Sequence, residues 1–209
     1  MGKETLTEIS KRYEKSPSRP RGTDKGVRHH YIGVYEKLLA EYRENANVVV
    51  EIGVLAGFSL LMLDDYFRTA TIHGIDRNGR IEDEVKKRDS IIFHHMDIVG
   101  RPDSSNQDAV MNLVRFDALF PDGSVDIVID DASHRPLDQL AACSIMLPKL
   151  RKNGLMIIED VYDMRLKALY RAFSASLTIY DGRCSGAYDS VLFVLEPSSI
   201  GSVKEITEF

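Results

Sequence analysis

Asn47-Val-Val-Val-Glu-Ile-Gly-Val-Leu-Ala-Gly57 decides the fold. Its first half is a short, valine-rich apolar run of the kind that suits a buried strand. Its second half sets Gly53 and Gly57 ahead of a helical stretch that reaches Phe67. Glycines there let a ligand approach the backbone, and the helix that follows offers it free N–H groups. Towards the C-terminus the same alternation repeats. Residues 71–76 read as a second strand, 81–88 as a helix and 91–97 as a third strand. A loop over 100–106 and a helix over 107–118 follow, then a fourth strand over 125–130. A helix over 136–150 opens on Pro136, which suits a first helical turn. A fifth strand at 154–159, a helix at 164–174 and two strands at 177–180 and 190–195 close the chain. Asp181-Gly182 supplies a hairpin turn between the last two. Towards the N-terminus, Tyr31, Val34, Tyr35, Leu38, Leu39 and Tyr42 form a helical stripe. Residues 1–26 are polar, and the Pro-, Ser- and Arg-rich stretch 16–22 predicts loop.

Alternating strands and helices, with strands apolar throughout, predict a parallel sheet covered on both faces. The expectation is one α/β, Rossmann-like domain over 27–209, with a tail or lid over 1–26. Its sheet would be mostly parallel and seven-stranded, with an antiparallel strand at the C-terminus. Ligands of such sheets bind outside the carboxyl ends of the strands. The formal charge of -5 weighs against nucleic acid as a partner. No apolar run is long enough to span a membrane, and no apolar leader opens the chain, so a cytoplasmic protein is expected. Cys143 and Cys184 have no metal-type spacing and read as reduced thiols. The His29-His30 and His94-His95 pairs are poor chelates if they lie on strands, where neighbours point to opposite faces. The C-terminal hairpin offers a surface for a homodimer.

The strand ends carry the chemistry. Glu51, Gly53 and Gly57 close the first. Asp76 closes the second, 25 residues after Glu51, near the spacing at which an acid meets ribose hydroxyls in dinucleotide folds. Asp97 closes the third, placed to accept from an adenine amino group. Together these residues resemble the first motifs of class I S-adenosylmethionine-dependent methyltransferases, in the E-x-G-x-x-x-G form. The complete G-x-G-x-x-G of nicotinamide enzymes is absent. The resemblance implies a class I methyltransferase fold and S-adenosylmethionine as cofactor.

The fourth strand ends in Asp130-Asp-Ala-Ser-His134 and the fifth in Glu159-Asp160. Alternation gives Asp130 to the cofactor side and Asp131 to the substrate side. Asp131, Glu159 and Asp160 would then form a carboxylate cluster that calls for a cation, and oxygen ligands suit Mg²⁺. These runs resemble metal-dependent sugar O-methyltransferases of macrolide biosynthesis, of the mycinamicin VI 2''-O-methyltransferase type. The resemblance covers roughly residues 22–195. It implies Asp131, Glu159 and Asp160 as metal ligands, with His134 as general base beside Asp131. The segment Gly22-Thr-Asp-Lys25, with Tyr31 after it, also resembles one found ahead of the core in such proteins. Thr23, Lys25 and Tyr31 thereby join the expected cofactor-binding residues, with Asp130. The chain is expected to lack the large N-terminal region that those enzymes use for assembly and substrate contact, so acceptor identity is not carried over. The expected acceptor class is a sugar or glycoside with vicinal hydroxyls. The alternatives are a catechol-type or other small-molecule O-methyltransferase, and a non-catalytic module of the same fold.

Overall fold

The computed structural model describes residues 3–99, 106–170, 172–173, 175–184, 187–197 and 202–207. The loop expected at 100–106 lies almost wholly outside them. Eight strands form one sheet: β1 (Val48–Ile52), β2 (Thr71–Asp76), β3 (Ile91–His95), β4 (Val125–Asp130), β5 (Leu150–Ile158), β6 (Ser176–Asp181), β7 (Val191–Glu196) and β8 (Val203–Ile206). Their order is β3-β2-β1-β4-β5-β7-β6-β8. β1 to β5 pair in parallel, and β7 runs antiparallel to both β5 and β6. The sequence predicts one strand fewer. The additional strand, β8, pairs in parallel with β6. Its four residues, Val-Lys-Glu-Ile, carry two charges and are too few to show a period.

Alternation along the strands builds two cores. Val49, Ile127, Ile129, Leu155 and Ile157 face one side. There they meet α1 (Leu6–Ser10), α2 (Ile32–Leu39) and α3 (Phe58–Phe67). Val50, Val128, Met156 and Ile158 face the other. They pack there with residues of α5 (Asn106–Leu119), α6 (Pro136–Met146) and α7 (Lys167–Tyr170). Neighbouring side chains thus belong to opposite cores, as the pleat requires. Three expected helices are shorter in the structure. α4 covers only Asp83–Lys86, α6 ends at Met146 and passes through a 3₁₀ turn, Leu147–Lys149, into β5, and the described residues from 164 to 170 are a 3₁₀ turn, Met164–Leu166, followed by α7.

Residues 3–26 pack against the rest of the domain through Leu6, Ile9 and Tyr13. Thr5 and Glu8 cap α1 reciprocally: Thr5 Oγ1 accepts from Glu8 N at 3.1 Å, and Thr5 N donates to Glu8 Oε2 at 2.8 Å. Leu6 and Ile9 enter the core beside α2 and α3. Each such burial stabilises by roughly 1.5–3 kcal/mol, which anchors the segment. The sequence does not show this because α1 contributes only two large apolar side chains. Both cysteines are free. Among the described residues no helix is long and apolar enough to cross a membrane.

Candidate functional site

Two cavities open at the carboxyl ends of the parallel strands. The first, about 210 Å³, is lined by Gly53, Asp76, Asp97 and Asp130, among others. Gly53 adopts φ 85°, and a Cβ there would lie 2.3 Å from the Asp131 carbonyl oxygen, so only glycine fits. Gly57, at φ 88°, precedes α3 and packs against Val85 without lining the cavity. Asp76 Oδ2 accepts from the N–H groups of Val54 and Leu55, both at 3.0 Å. The carboxylate therefore holds the glycine loop as well as facing the cavity. Asp97 Oδ1 accepts from Val99 N at 3.2 Å. Asp130 is buried, and its Oδ2 has no hydrogen-bond partner. Burial pushes its carboxyl up to about 7.

Beneath the glycine loop lies a buried ionic cluster. Lys25, 1% exposed, places Nζ 2.5 Å from Asp131 Oδ2, 2.6 Å from Glu159 Oε1 and 3.3 Å from Glu51 Oε1. Glu51 is fully buried; its Oε2 accepts from Ser59 Oγ at 2.6 Å, while its Oε1 has no hydrogen bond. The Tyr35 hydroxyl donates to Glu159 Oε1, and that of Tyr31 donates to Asp160 Oδ1 at 2.7 Å. Burial raises both phenols, which keeps them protonated donors. Burial opposes the charge on Lys25, but Asp131, Glu159 and Glu51 outweigh it and hold the ammonium well above its ordinary range. Burial also raises Glu159, followed by the charge of Asp131. For Asp131, Lys25 and then His134 overcome burial and lower the carboxyl.

The second cavity, about 440 Å³, is lined by Thr23, His29, Asp131, His134, Asp160 and Asp189, among others. It shares Gly53, Leu55, Asp131 and Ala132 with the first, so the two are contiguous. His134 and Asp160 both adopt positive φ, 56° and 55°, a strained conformation for such residues. His134 Nε2 lies 3.1 Å from Asp131 Oδ1 and its Nδ1 3.4 Å from Asp160 Oδ2. Burial disfavours the imidazolium, but the hydrogen bond and charges of Asp131, with Asp160 and Glu159, push it up to about 9.

The structure thus gathers Asp76, Asp97 and Asp130 at one cavity, Thr23, His134 and Asp160 at the other, and Asp131 at both. Glu51, Glu159, Lys25 and Tyr31 line neither. They lie in or beside the buried cluster, because the ammonium of Lys25 satisfies carboxylates that would otherwise be buried unpaired. Sequence reasoning missed Tyr35 and His29. Tyr35 sits in an apolar stripe and reads as packing. His29 lies 3.3 Å from Asp160 Oδ1 and 3.2 Å from Ser190 Oγ, through partners distant in sequence. His94 turns to His73 at 2.9 Å and His95 to the Arg77 carbonyl.

The first cavity fits a nucleoside cofactor: five carboxylates, those of Asp76, Asp97, Asp130, Asp131 and Asp138, line it, and one of their oxygens, Asp130 Oδ2, is buried without a donor. Two groups of donor atoms could hold a divalent cation near Asp131. Those of Asp131, His134 and Asp160, at the second cavity, lie within 4.8 Å of one another, and so do those of Glu51, Asp131 and Glu159, in the buried cluster; the expected ligands Asp131, Glu159 and Asp160 are divided between the two groups.

A family model described as a methyltransferase domain matches residues 50–161, more than half of the chain. An 8-demethyl-8-alpha-L-rhamnosyl tetracenomycin-C 2'-O-methyltransferase of Streptomyces olivaceus is 30% identical over 194 residues, 90% of this chain and 48% of that protein. Mycinamicin VI 2''-O-methyltransferase of Micromonospora griseorubida is 30% identical over 168 residues, 77% of this chain and 37% of its own. The chain thus spans about half the length of the first relative and less of the second. The MycE methyltransferase of the mycinamycin pathway, solved with Mg and SAH, superposes with a TM-score of 0.67 at 24% identity. That match covers 96% of this chain and 58% of MycE, and shows a shared fold.

Proposed function

The chain belongs to the methyltransferase-domain family, and we propose that it transfers the methyl group of S-adenosylmethionine to a hydroxyl of a sugar or glycoside, with Mg²⁺ assistance. The observation that carries this reading is the meeting of two cavities at Asp131: acceptor carboxylates line one, and Asp131, His134 and Asp160 line the other. The relatives' names, which specify sugar O-methylation, support the acceptor class.

In this reading Asp76 and Asp97 would hold the ribose and adenine of the cofactor, with Asp130 beside them. The acceptor enters the second cavity past Thr23. Holding its hydroxyl oxygen in line with the sulfonium methyl makes the displacement effectively unimolecular. Bound S-adenosylmethionine would supply the electrophilic methyl group, the O–C bond forming as the C–S bond breaks, and His134 would accept the hydroxyl proton. In the free protein Asp131 and Asp160 hold His134 as an imidazolium, so it must release that proton before it acts as a base. Asp131, Glu159 and Asp160 would hold Mg²⁺, which supplies Lewis acidity that makes a neighbouring hydroxyl easier to deprotonate.

The test is S-adenosylhomocysteine formation on a panel of rhamnosides, other glycosides and catechols, with Mg²⁺ and with EDTA. Turnover on a glycoside that EDTA abolishes and His134→Ala reduces about 100-fold or more is the expected result. Wild-type turnover in His134→Ala removes the base, and turnover indifferent to EDTA removes the metal.

A further inference from the structure

Lys25 is buried inside the acidic cluster. Its ammonium lies between one oxygen of Asp131 and one of Glu159, two of the three carboxylates assigned to Mg²⁺ in the reading above, on which this inference rests. It is buried, it is the sole cation within ion-pair distance of Glu51 and Glu159 among the described residues, and it lines neither cavity. Glu51 Oε1, fully buried and without a hydrogen bond, points at the same centre from 3.3 Å. The donor atoms of Glu51, Asp131 and Glu159 lie within 4.8 Å of one another, a spacing that suits one small cation. We propose that Lys25 is a resident counter-cation that competes with the divalent ion for Asp131 and Glu159, so that metal loading requires its ammonium to give way.

The physical case is a balance of charges. Buried carboxylates this close repel one another and are tolerated only when a cation sits among them. In the free protein Lys25 fills that role, which keeps the ligand set assembled and ties the segment before α2 to the ends of β4 and β5. A divalent ion at Asp131 and Glu159 would face a like charge 2.5–2.6 Å from its own ligands. The cluster therefore trades metal affinity for stability without metal. The opposite assignment, in which Lys25 assists metal binding by positioning its ligands, predicts the opposite sign for its removal.

The experiment measures Mn²⁺ binding by the loss of the free-ion electron paramagnetic resonance signal, with Mg²⁺ as competitor, in the wild-type protein and Lys25→Met. Methionine keeps much of the length and removes the charge. The expected result is Mn²⁺ binding tighter by about tenfold or more in Lys25→Met, because a like charge beside the ion has gone. Its metal-free thermal midpoint should be lower than wild type and should recover further on adding Mn²⁺. Equal or weaker binding by a folded Lys25→Met overturns the proposal and leaves the metal reading intact. Absence of Mn²⁺ binding in both proteins overturns the metal reading, and this inference with it. Should Lys25→Met not fold, lysine acylation of the wild-type protein read by mass spectrometry decides. Labelling of Lys25 that rises severalfold with saturating Mn²⁺ supports displacement, and labelling that stays at the metal-free level refutes it.

Discussion

The Tyr31 hydroxyl donates to Asp160 Oδ1 at 2.7 Å, joining the residue that precedes α2 to the turn that follows β5. Asp160 stands at φ 55°, so its carboxylate reaches the second cavity through a backbone conformation that needs support from outside the turn. Tyr31 supplies that support; it is fully buried, and the same hydroxyl lies 3.2 Å from the Asp189 carbonyl. Tyr31→Phe should lower stability by about 1–3 kcal/mol, the cost of removing a hydrogen bond to a buried carboxylate. Turnover should fall while S-adenosylhomocysteine affinity stays near wild type, because Tyr31 does not line the first cavity. Chemical denaturation and calorimetric cofactor titration on the same variant check both halves. A parallel fall in cofactor affinity would show that Tyr31 acts at the first cavity.

A second prediction concerns the glycine loop. At Gly53 an added Cβ would lie 2.3 Å from the Asp131 carbonyl oxygen and 2.4 Å from Ala132 Cα, and φ is 85°. These neighbours are backbone at the junction of the two cavities and cannot swing aside. Gly123 also has positive φ, at 72°, but a Cβ there meets nothing within 4 Å. Gly123→Ala should therefore cost only the conformational strain, about 1 kcal/mol. Gly53→Ala should cost clearly more and should also abolish cofactor binding, since relief of the clash must displace Asp131 or the loop. Thermal midpoints of the two variants, measured side by side, separate strain from collision. Equal losses would mean that the loop yields to the methyl group.

Most of the parallel core was legible because its strands carry apolar runs with an acid at or just past the carboxyl end, and such runs are local in sequence; the first residues of β5, Leu-Arg-Lys-Asn, escaped because they are mostly polar. The strand-end carboxylates were legible for the same reason. The role of Lys25 was not. Thr23-Asp24-Lys25 marks the segment, but nothing local shows that the ammonium reaches Asp131 and Glu159, 106 and 134 residues away. Tyr35 was hidden differently. Its ring packs in the α2 stripe as an aromatic residue should, while its hydroxyl meets Glu159. A pattern of apolar residues records the ring and not the tip. β8 escaped because four residues with two charges at their centre carry no period, and its pairing with β6 is a long-range event.

A third prediction follows from a histidine pair away from the site. His73 on β2 and His94 on β3 stack 5.2 Å apart, with Nδ1 of the first 2.9 Å from Nε2 of the second, and Phe120 packs edge-on against both. One ring must donate and the other accept, so the contact requires at least one neutral imidazole. Burial, then the charge of His94, lowers His73 to about 4, and burial lowers His94. The unfolded chain takes up a proton at His73 near its ordinary value of 6.5. Between those two values the unfolded state therefore binds more protons than the folded one. The pair costs no stability above about pH 6.5; below it stability declines, and His73 adds no further loss under about pH 4. Allowing for solvent that reaches the half-buried rings, the slope from His73 should be no more than about 1 kcal/mol per pH unit. His73→Phe, which keeps an aromatic ring against Phe120, should flatten the fall in thermal midpoint between pH 6.5 and 5 and leave the midpoint at pH 8 nearly unchanged. An identical acid-side slope in the variant would mean that other groups carry the sensitivity, and that the pair accommodates a proton within the sheet.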